Sequence, residues 1–328
     1  MAPPQLVIGR DERMKTLHLV DPALRPLLDA WPTVTLTEAD LPALRGRQLP
    51  YPPARDLPVD LERRMVPGPA GAPDVQLHIY RPRGATGALP AIYHIHGGGY
   101  VLGAAGDLEP IHRSLVDRLN CVLVSVDYRL APETCFPGAI EDCYAGLAYL
   151  FGNAAELGVD VGRTGVMGES AGGGLAAALA LLARDRGDYH LAFQHLTYPM
   201  LDDRTCTRDP HPHAGEFIWH PANNHFGWRA LLGQEPGSDG VSPYAAAARA
   251  ADLGGLPPTY LMTGALDLFV DEDIDYARRL IHAGVPTEFH VYPGGFHGFD
   301  IAPDAPVAAQ ANADRIAALQ RALHPPAT

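Results

Sequence analysis

Positive charge is scarce in this sequence. Its 328 residues include 25 Lys and Arg against 38 Asp and Glu, which gives a formal net charge of -13 at pH 7. Affinity for nucleic acids depends on clustered Lys and Arg that neutralise phosphates, and anionic membrane surfaces attract the same residues. We therefore expect no nucleic-acid partner and no attachment to anionic lipids.

Long apolar runs are also missing. No segment approaches the roughly 20 consecutive apolar residues that a membrane-spanning helix requires, and the first residues lack the basic start and apolar core of a secretory signal. The four cysteines form no Cys-x-x-Cys pair, and we interpret them as buried free thiols in a reducing compartment. The sequence thus predicts a cytoplasmic protein without stable membrane insertion.

Short β-rich runs alternate with helix-length amphipathic stretches from about Asp74 onward. This alternation is typical of an α/β fold in which helices flank a mostly parallel central sheet. The run at 122–126 is nearly continuous in β-branched residues, which predicts a central strand buried on both faces. The other expected strands are 75–80, 91–95, 165–167, 191–198, 259–263 and 287–292, and the expected helices are 141–150, 171–184, 273–283 and 307–323.

Two regions interrupt this alternation. Residues 1–70 contain an amphipathic piece followed by a proline-rich passage, and residues 202–235 are rich in aromatic residues and histidine. Long segments of this kind often cover a functional site. We expect both regions to form a helical cap over a catalytic domain that spans residues 71–328.

A pentapeptide centred on Ser170 carries the sharpest local signal. The sequence Gly168-Glu169-Ser170-Ala171-Gly172 follows an expected strand and precedes an expected helix. In a nucleophile elbow the serine occupies a strained turn that needs small neighbours, and the next helix directs its positive end at the reaction centre. The pattern indicates that Ser170 is a nucleophile.

A glycine-rich motif, His96-Gly97-Gly98-Gly99-Tyr100, follows the expected strand at 91–95. Successive glycines let backbone N–H groups turn toward a developing oxyanion, which larger side chains would obstruct. We assign the oxyanion hole to the N–H groups of Gly98, Gly99 and Ala171.

A serine nucleophile needs a base within hydrogen-bond reach and an acid that orients that base. His297 lies in the loop after the last expected strand, where loops at the carboxyl ends of strands converge. Asp267 follows the preceding strand and gives the chain order Ser, Asp, His. Its rivals Asp271, Asp273 and Asp275 have the spacing of a helix start.

Together these motifs resemble the hormone-sensitive-lipase-like esterases, the bacterial family IV of the α/β-hydrolase superfamily. The resemblance extends from about Gln76 to Phe299 and includes the charged motif at 127–133. It implies a sheet of about eight strands, a helical cap, no cofactor and hydrolysis of short- to medium-chain acyl esters. It also implies a homodimer paired through the last strand and its neighbouring helix. The chain departs from many relatives at Glu169, where Asp is common, and at Leu268, where Pro is common.

Other reactions remain open at this point. A lactonase, an amidase or a peptidase could use the same triad, and a noncatalytic ligand-binding protein is the alternative from another class. A comparison of esters with amides of the same acyl group distinguishes an esterase from an amidase or a peptidase. Labelling of Ser170 by a fluorophosphonate tests whether the protein is catalytic or only binds a ligand.

Several further residues have two interpretations. Tyr100, Tyr198, Phe217 and Trp219, with Trp31 and Phe226, either line the substrate pocket or pack the cap on the body. The charged motif at 127–133 is interpreted as bracing the sheet rather than contacting substrate. The histidines between 211 and 225 make a weak metal pattern, and we expect no metal site. They are His211, His213, His220 and His225.

Overall fold

The computed structural model describes residues 14–31, 34–45, 56–302 and 304–326. Their centre is one eight-stranded sheet in the order β1-β2-β4-β3-β5-β6-β7-β8. The strands are β1 (Val59–Val66), β2 (Val75–Pro82), β3 (Leu89–Ile95), β4 (Val122–Asp127), β5 (Val159–Glu169), β6 (Gln194–Thr197), β7 (Thr259–Gly264) and β8 (Thr287–Tyr292). β1, β2 and β4 pair antiparallel, and the pairs from β4 through β8 are parallel. The predicted α/β-hydrolase fold with about eight strands is confirmed.

Helices cover both faces of this sheet. The α-helices are α1 (Arg25–Ala30), α2 (Leu41–Arg45), α3 (Glu109–Leu119), α4 (Gly138–Gly152), α5 (Ala154–Leu157), α6 (Ala171–Arg186), α7 (Pro221–Leu232), α8 (Val270–His282) and α9 (Pro306–Leu323). α3 and α9 pack on one face, while α4 and α6 pack on the other. β4 is buried on both faces, as its β-branched sequence predicted.

The first strand corrects the predicted N-terminal boundary. We assigned residues 1–70 to the cap, but Val59–Val66 pairs antiparallel with β2 and forms an edge of the sheet. The alternation of buried and exposed residues in β1 is irregular, since only its two end residues are fully buried. A strand of this kind lacks the period-2 pattern by which strands are recognised.

The expectation for the cysteines was wrong in part. Cys121 and Cys143 are buried, but Cys135 is exposed and Cys206 is half-buried. In the part of the chain that the structure describes, no helix has both the length and the apolar content to cross a bilayer.

Candidate active site

The nucleophile elbow lies between β5 and α6. Ser170 has φ 57 and ψ -122, a conformation that a residue with a side chain adopts only under strain. A Cβ on Gly168 would lie 2.2 Å from the Gly172 carbonyl oxygen, and one on Gly172 would lie 2.1 Å from that of Ile95. The turn therefore requires glycine at both positions, which explains the local sequence around the serine.

A continuous series of hydrogen bonds joins Ser170, His297 and Asp267. His297 Nε2 lies 2.9 Å from Ser170 Oγ, and His297 Nδ1 lies 2.8 Å from Asp267 Oδ2. The carboxylate can only accept, so Nδ1–H donates to it and Nε2 is free to accept from the serine hydroxyl. Ser170 and His297 are each 7% exposed and Asp267 is fully buried. The three side chains singled out from the sequence thus meet at one point.

Backbone hydrogen bonds hold the two loops that carry the acid and the base. Leu266 N–H donates to the Gly295 carbonyl, and Ala265 N–H donates to the Tyr292 carbonyl. Within the acid loop, Asp267 Oδ1 accepts from the Phe269 N–H at 3.0 Å. Both carboxylate oxygens are therefore occupied, which fixes the direction in which Asp267 faces the imidazole. Asp271, Asp273 and Asp275 lie within α8, as their spacing predicted.

The glycine loop after β3 lies beside the serine. Gly98 has φ +118 and Gly99 has φ +60, and a Cβ on Gly98 would lie 2.1 Å from the Leu102 carbonyl oxygen. A Cβ on Gly97 would lie 2.8 Å from the carbonyl oxygen of Glu169 and 3.4 Å from the Ser170 Cβ. The loop thus approaches the elbow closely, and only glycine permits this approach.

Buried polar groups support the elbow from behind. His94 Nε2 on β3 lies 2.8 Å from Glu169 Oε2, and His94 Nδ1 lies 3.0 Å from Ser125 Oγ on β4. Burial opposes ionisation of Glu169, but its contact and hydrogen bond with His94 and the charge of Arg315 outweigh this effect and lower the pKa of this carboxyl. Burial lowers the pKa of His96, at the start of the glycine loop, to about 4. These groups join three neighbouring strands beneath the nucleophile.

The charged motif at 127–133 braces this end of the sheet. Arg129 Nε and Nη2 each lie 2.7 Å from one carboxylate oxygen of the buried Asp142, and Tyr128 Oη donates to the His96 carbonyl. Glu133 pairs with Arg45 of α2. These contacts agree with the structural interpretation of the motif.

The four predicted pocket residues have different environments. The Trp219 indole lies against Gly99: a Cβ added to Gly99 would be 2.1 Å from the Trp219 Cη2. The Trp219 ring centre is 6.4 Å from the ring centre of His297. The Tyr198 ring centre is 4.7 Å from that of His297. Both therefore border the triad.

The other two predictions need correction. Tyr100 is 1% exposed, and its hydroxyl donates to the Met200 carbonyl beneath α6. Phe217 is also 1% exposed and packs on Phe296 at 5.7 Å between ring centres. Both rings belong to the hydrophobic core, so of the two interpretations of these residues the packing role is the one that the structure favours.

The two predicted cap regions contact each other. The backbone N–H groups of Lys15 and Thr16 donate to the Glu216 carboxylate, and the Thr16 hydroxyl does the same. Asn223 accepts from the Leu36 N–H at 2.8 Å and donates to the Val34 carbonyl at 2.7 Å. No sequence pattern indicates these pairings, because about 200 residues separate the partners.

The histidines of the segment at 202–235 are dispersed. His225 pairs with Glu235, and His211 accepts from the His213 N–H. Among the described residues, no three His, Cys, Asp or Glu side chains form a group that could hold a metal ion.

Known proteins resemble this chain along nearly its whole length. A family model described as alpha/beta hydrolase fold matches residues 92–301. A carboxylesterase, NlhH, of Mycobacterium tuberculosis is 38% identical over 93% of this chain and 97% of its own length. Esterase LipI of the same organism is 34% identical over 93% of this chain and 96% of its own length. The solved structure of a bacterial heroin esterase is 41% identical, with a TM-score of 0.86 over 94% of this chain and 99% of that one.

These similarities confirm the family and the enzyme class that the motifs predicted, a carboxylic-ester hydrolase. With the fold, the elbow and the matched residues in agreement, the chain belongs to the α/β-hydrolase fold family, in its hormone-sensitive-lipase-like branch.

Proposed function

We propose that this protein is a serine carboxylesterase that hydrolyses short- to medium-chain acyl esters through an acyl-enzyme on Ser170. The observation that carries the proposal is the series of hydrogen bonds, 2.9 and 2.8 Å long, from Ser170 through His297 to Asp267. Such a series activates a hydroxyl that is otherwise a poor nucleophile at neutral pH.

In the first half of the reaction, His297 Nε2 takes the Ser170 proton as Oγ attacks the ester carbonyl carbon. Asp267 stabilises the imidazolium, which then gives its proton to the departing alcohol. In the second half, His297 removes a proton from water, which attacks the acyl-enzyme and releases the acid. Ser170 recovers its proton from His297, so no group is consumed.

The N–H groups of Gly98, Gly99 and Ala171 bind the oxyanion in this proposal. In the described part of the chain none of the three has an intramolecular acceptor, so they are available to a ligand. Ala171 is also the first residue of α6, whose dipole favours negative charge at that end.

Residues 14–31, 34–45 and 202–235 form a cap in this proposal, with Trp219 as a wall of the substrate pocket. The hydrogen bonds of Glu216 and Asn223 to the N-terminal region support a joint cap. The contact of the indole with Gly99 supports a role in shaping the site. A cap that excludes water strengthens the electrostatic interactions at the reacting atoms.

Pairing of two copies through β8 and α8 remains a prediction from the family resemblance. Apolar side chains that are 39–57% exposed lie on this edge, namely Ile274, Ile281 and Val291. An edge strand with such side chains is suited to pairing with a second chain.

Replacement of Ser170 by Ala tests the nucleophile. We expect turnover of aryl esters to fall by at least about 10⁴-fold, because only binding and the oxyanion hole remain. Ser238→Ala is the matched control, since Ser238 is half-buried and its hydroxyl donates to the nearby Glu235 carbonyl, not to a residue of the triad. A fluorophosphonate should label Ser170 in the wild type, as read by mass spectrometry. Near-normal hydrolysis by the Ser170→Ala variant would refute the assignment.

A graded substrate panel tests the reaction class. We expect acetyl, butyryl and octanoyl aryl esters to be hydrolysed faster than palmitoyl esters, and esters faster than amides of the same acyl group. A higher kcat/KM for the amides would indicate an amidase with the same triad.

A further inference from the structure

The His297 imidazole lies between two aromatic rings. Tyr198 is on one side, with 4.7 Å between ring centres and 58° between planes. The Phe269 ring lies on another side, with 5.3 Å between ring centres and 87° between planes. In a close-packed interior a ring can rotate only by displacing its neighbours. The orientation of the imidazole therefore depends on how firmly these rings are held.

Tyr198 is held at both its backbone and its hydroxyl. It directly follows β6 with φ +33, and its N–H donates to the Met262 carbonyl of β7 at 2.6 Å. Its hydroxyl donates to Asp300 Oδ1 at 2.7 Å, and both residues are buried. A hydrogen bond to a carboxylate is stronger than one between neutral groups, so it fixes the direction of the ring.

Helix α9 in turn holds Asp300. Asn312 Nδ2 donates to the Asp300 carbonyl at 2.7 Å, and Arg315 Nη1 lies 3.4 Å from Asp300 Oδ2. Burial lowers the pKa of Arg315, but the carboxylates of Asp300 and Glu169 outweigh it and the pKa is raised. Burial of a charged pair costs free energy unless further hydrogen bonds stabilise it, and the Tyr198 hydroxyl supplies one such bond to the Asp300 carboxylate.

We propose that Tyr198 is a positioning residue: its hydroxyl, anchored through Asp300 to Arg315 of α9, holds its ring against His297 in the orientation that bonds both Ser170 and Asp267. This inference rests on the proposed function. It assigns a catalytic consequence to contacts that lie outside the triad, because Asp300 is three residues beyond His297 and Arg315 is on the last helix. A small tilt of the imidazole lengthens both proton-transfer bonds, and misplacement of about 1 Å can cost about 100-fold in rate.

Tyr198→Phe removes the hydroxyl and keeps the ring. We expect kcat for an aryl ester to fall about tenfold while KM changes by less than about twofold, because the bond orients the base and does not bind the substrate. Tyr292→Phe is the matched control, since that hydroxyl also donates to a carboxylate, Asp314 Oδ2, at 2.8 Å. The control should lose a similar amount of thermal stability and keep the wild-type kcat.

A second variant tests the anchor. Asp300→Asn keeps an acceptor for the Tyr198 hydroxyl but leaves Arg315 without its carboxylate, so we expect a lower unfolding midpoint and a smaller loss of kcat than in Tyr198→Phe. The low-field proton resonance of the His297–Asp267 hydrogen bond should broaden in Tyr198→Phe and stay sharp in Tyr292→Phe.

Two outcomes would overturn the inference: wild-type kcat in Tyr198→Phe, or an equal loss of kcat in Tyr292→Phe. If either occurs while Ser170→Ala is inactive, the positioning role is wrong and the proposed function stands. If Ser170→Ala stays active, the proposed function itself fails.

Discussion

His195 should make the folded protein sensitive to mild acid. This residue lies on β6, is 1% exposed and stacks on Tyr260 at 4.4 Å between ring centres. Burial lowers the pKa of His195 from 6.5 to about 3, and the charge of Arg315 adds to this effect. The unfolded chain therefore takes up a proton near pH 6.5 that the folded protein refuses, and stability is lost as the pH falls through this value.

The magnitude follows from the two pKa values. Between about pH 7.5 and about pH 5 the unfolded state gains nearly one proton at His195, which weakens folding by about 2 kcal/mol. His96 acts with the same sign, because its pKa is lowered to about 4. Glu272 acts with the opposite sign, since burial raises its pKa to about 8 and the folded state keeps the proton. The pH dependence of the folding stability is thus a sum over several groups. Only a comparison of the wild type with a variant isolates the contribution of one group.

His195→Gln supplies that difference, because glutamine does not titrate. Loss of the stacked ring lowers stability at every pH, but the decrease from about pH 7.5 to about pH 5 should be about 2 kcal/mol smaller than in the wild type. Urea unfolding, followed by tryptophan fluorescence at each pH, measures the free energy of unfolding and its decrease with pH. Equal m-values for the variant and the wild type show that their free energies can be compared. His190→Gln, at an exposed position, should keep the wild-type decrease. An unchanged decrease in His195→Gln would refute the argument.

Two further substitutions have matched controls in the chain. Gly99→Ala would place a Cβ 2.1 Å from an indole atom at a residue with φ +60, and we expect kcat/KM to fall by about 100-fold or more, as for a lost oxyanion donor. Gly84→Ala also has positive φ but meets nothing within 4 Å, so kcat/KM should not change; an active Gly99→Ala variant would contradict the loop assignment. Arg129→Met leaves the fully buried Asp142 unpaired and should lower the free energy of unfolding by about 3 kcal/mol. Arg83→Met breaks an exposed pair with Asp60 and should cost no measurable stability in the same urea titration. Equal losses of stability in the two variants would show that burial is not the cause.

The parallel part of the fold could be predicted because burial leaves a simple pattern there. β4 is covered on both faces, so its sequence is nearly continuously apolar. β8 is a half-exposed edge strand, and its observed bounds were predicted because Pro293 and the two glycines after it mark its end. α3 and α7 were not predicted. Each begins with a proline in its first turn and lacks a side chain that caps its N-terminus, so its start carries only part of the usual signal.

The meeting of Ser170, Asp267 and His297 could be predicted because topology alone brings them together. Each follows the carboxyl end of a strand in the parallel part of the sheet, and such ends lie on one edge. The pocket could not be predicted in this way. Tyr100 and Trp219 are both aromatic residues near the glycine loop, yet one faces the core beneath α6 and the other covers Gly99. Which way a side chain faces in an irregular segment depends on packing partners that are distant in the sequence.

Glu169 and Leu268, the two departures from the family pattern, also depend on contacts with residues that are distant in the sequence. Glu169 carries one more methylene than the common Asp, and its carboxylate bonds to His94 on the neighbouring strand, so its length is matched to that partner. Leu268 lacks the constraint of a proline, but it packs against the segment at 202–235, where a Cβ on Gly215 would lie 2.6 Å from the Leu268 Cδ1. The Gly215 N–H also donates to the Leu266 carbonyl in the acid loop. Contacts with the segment at 202–235 thus restrain the loop that carries Asp267, and they replace part of the rigidity that a proline would give.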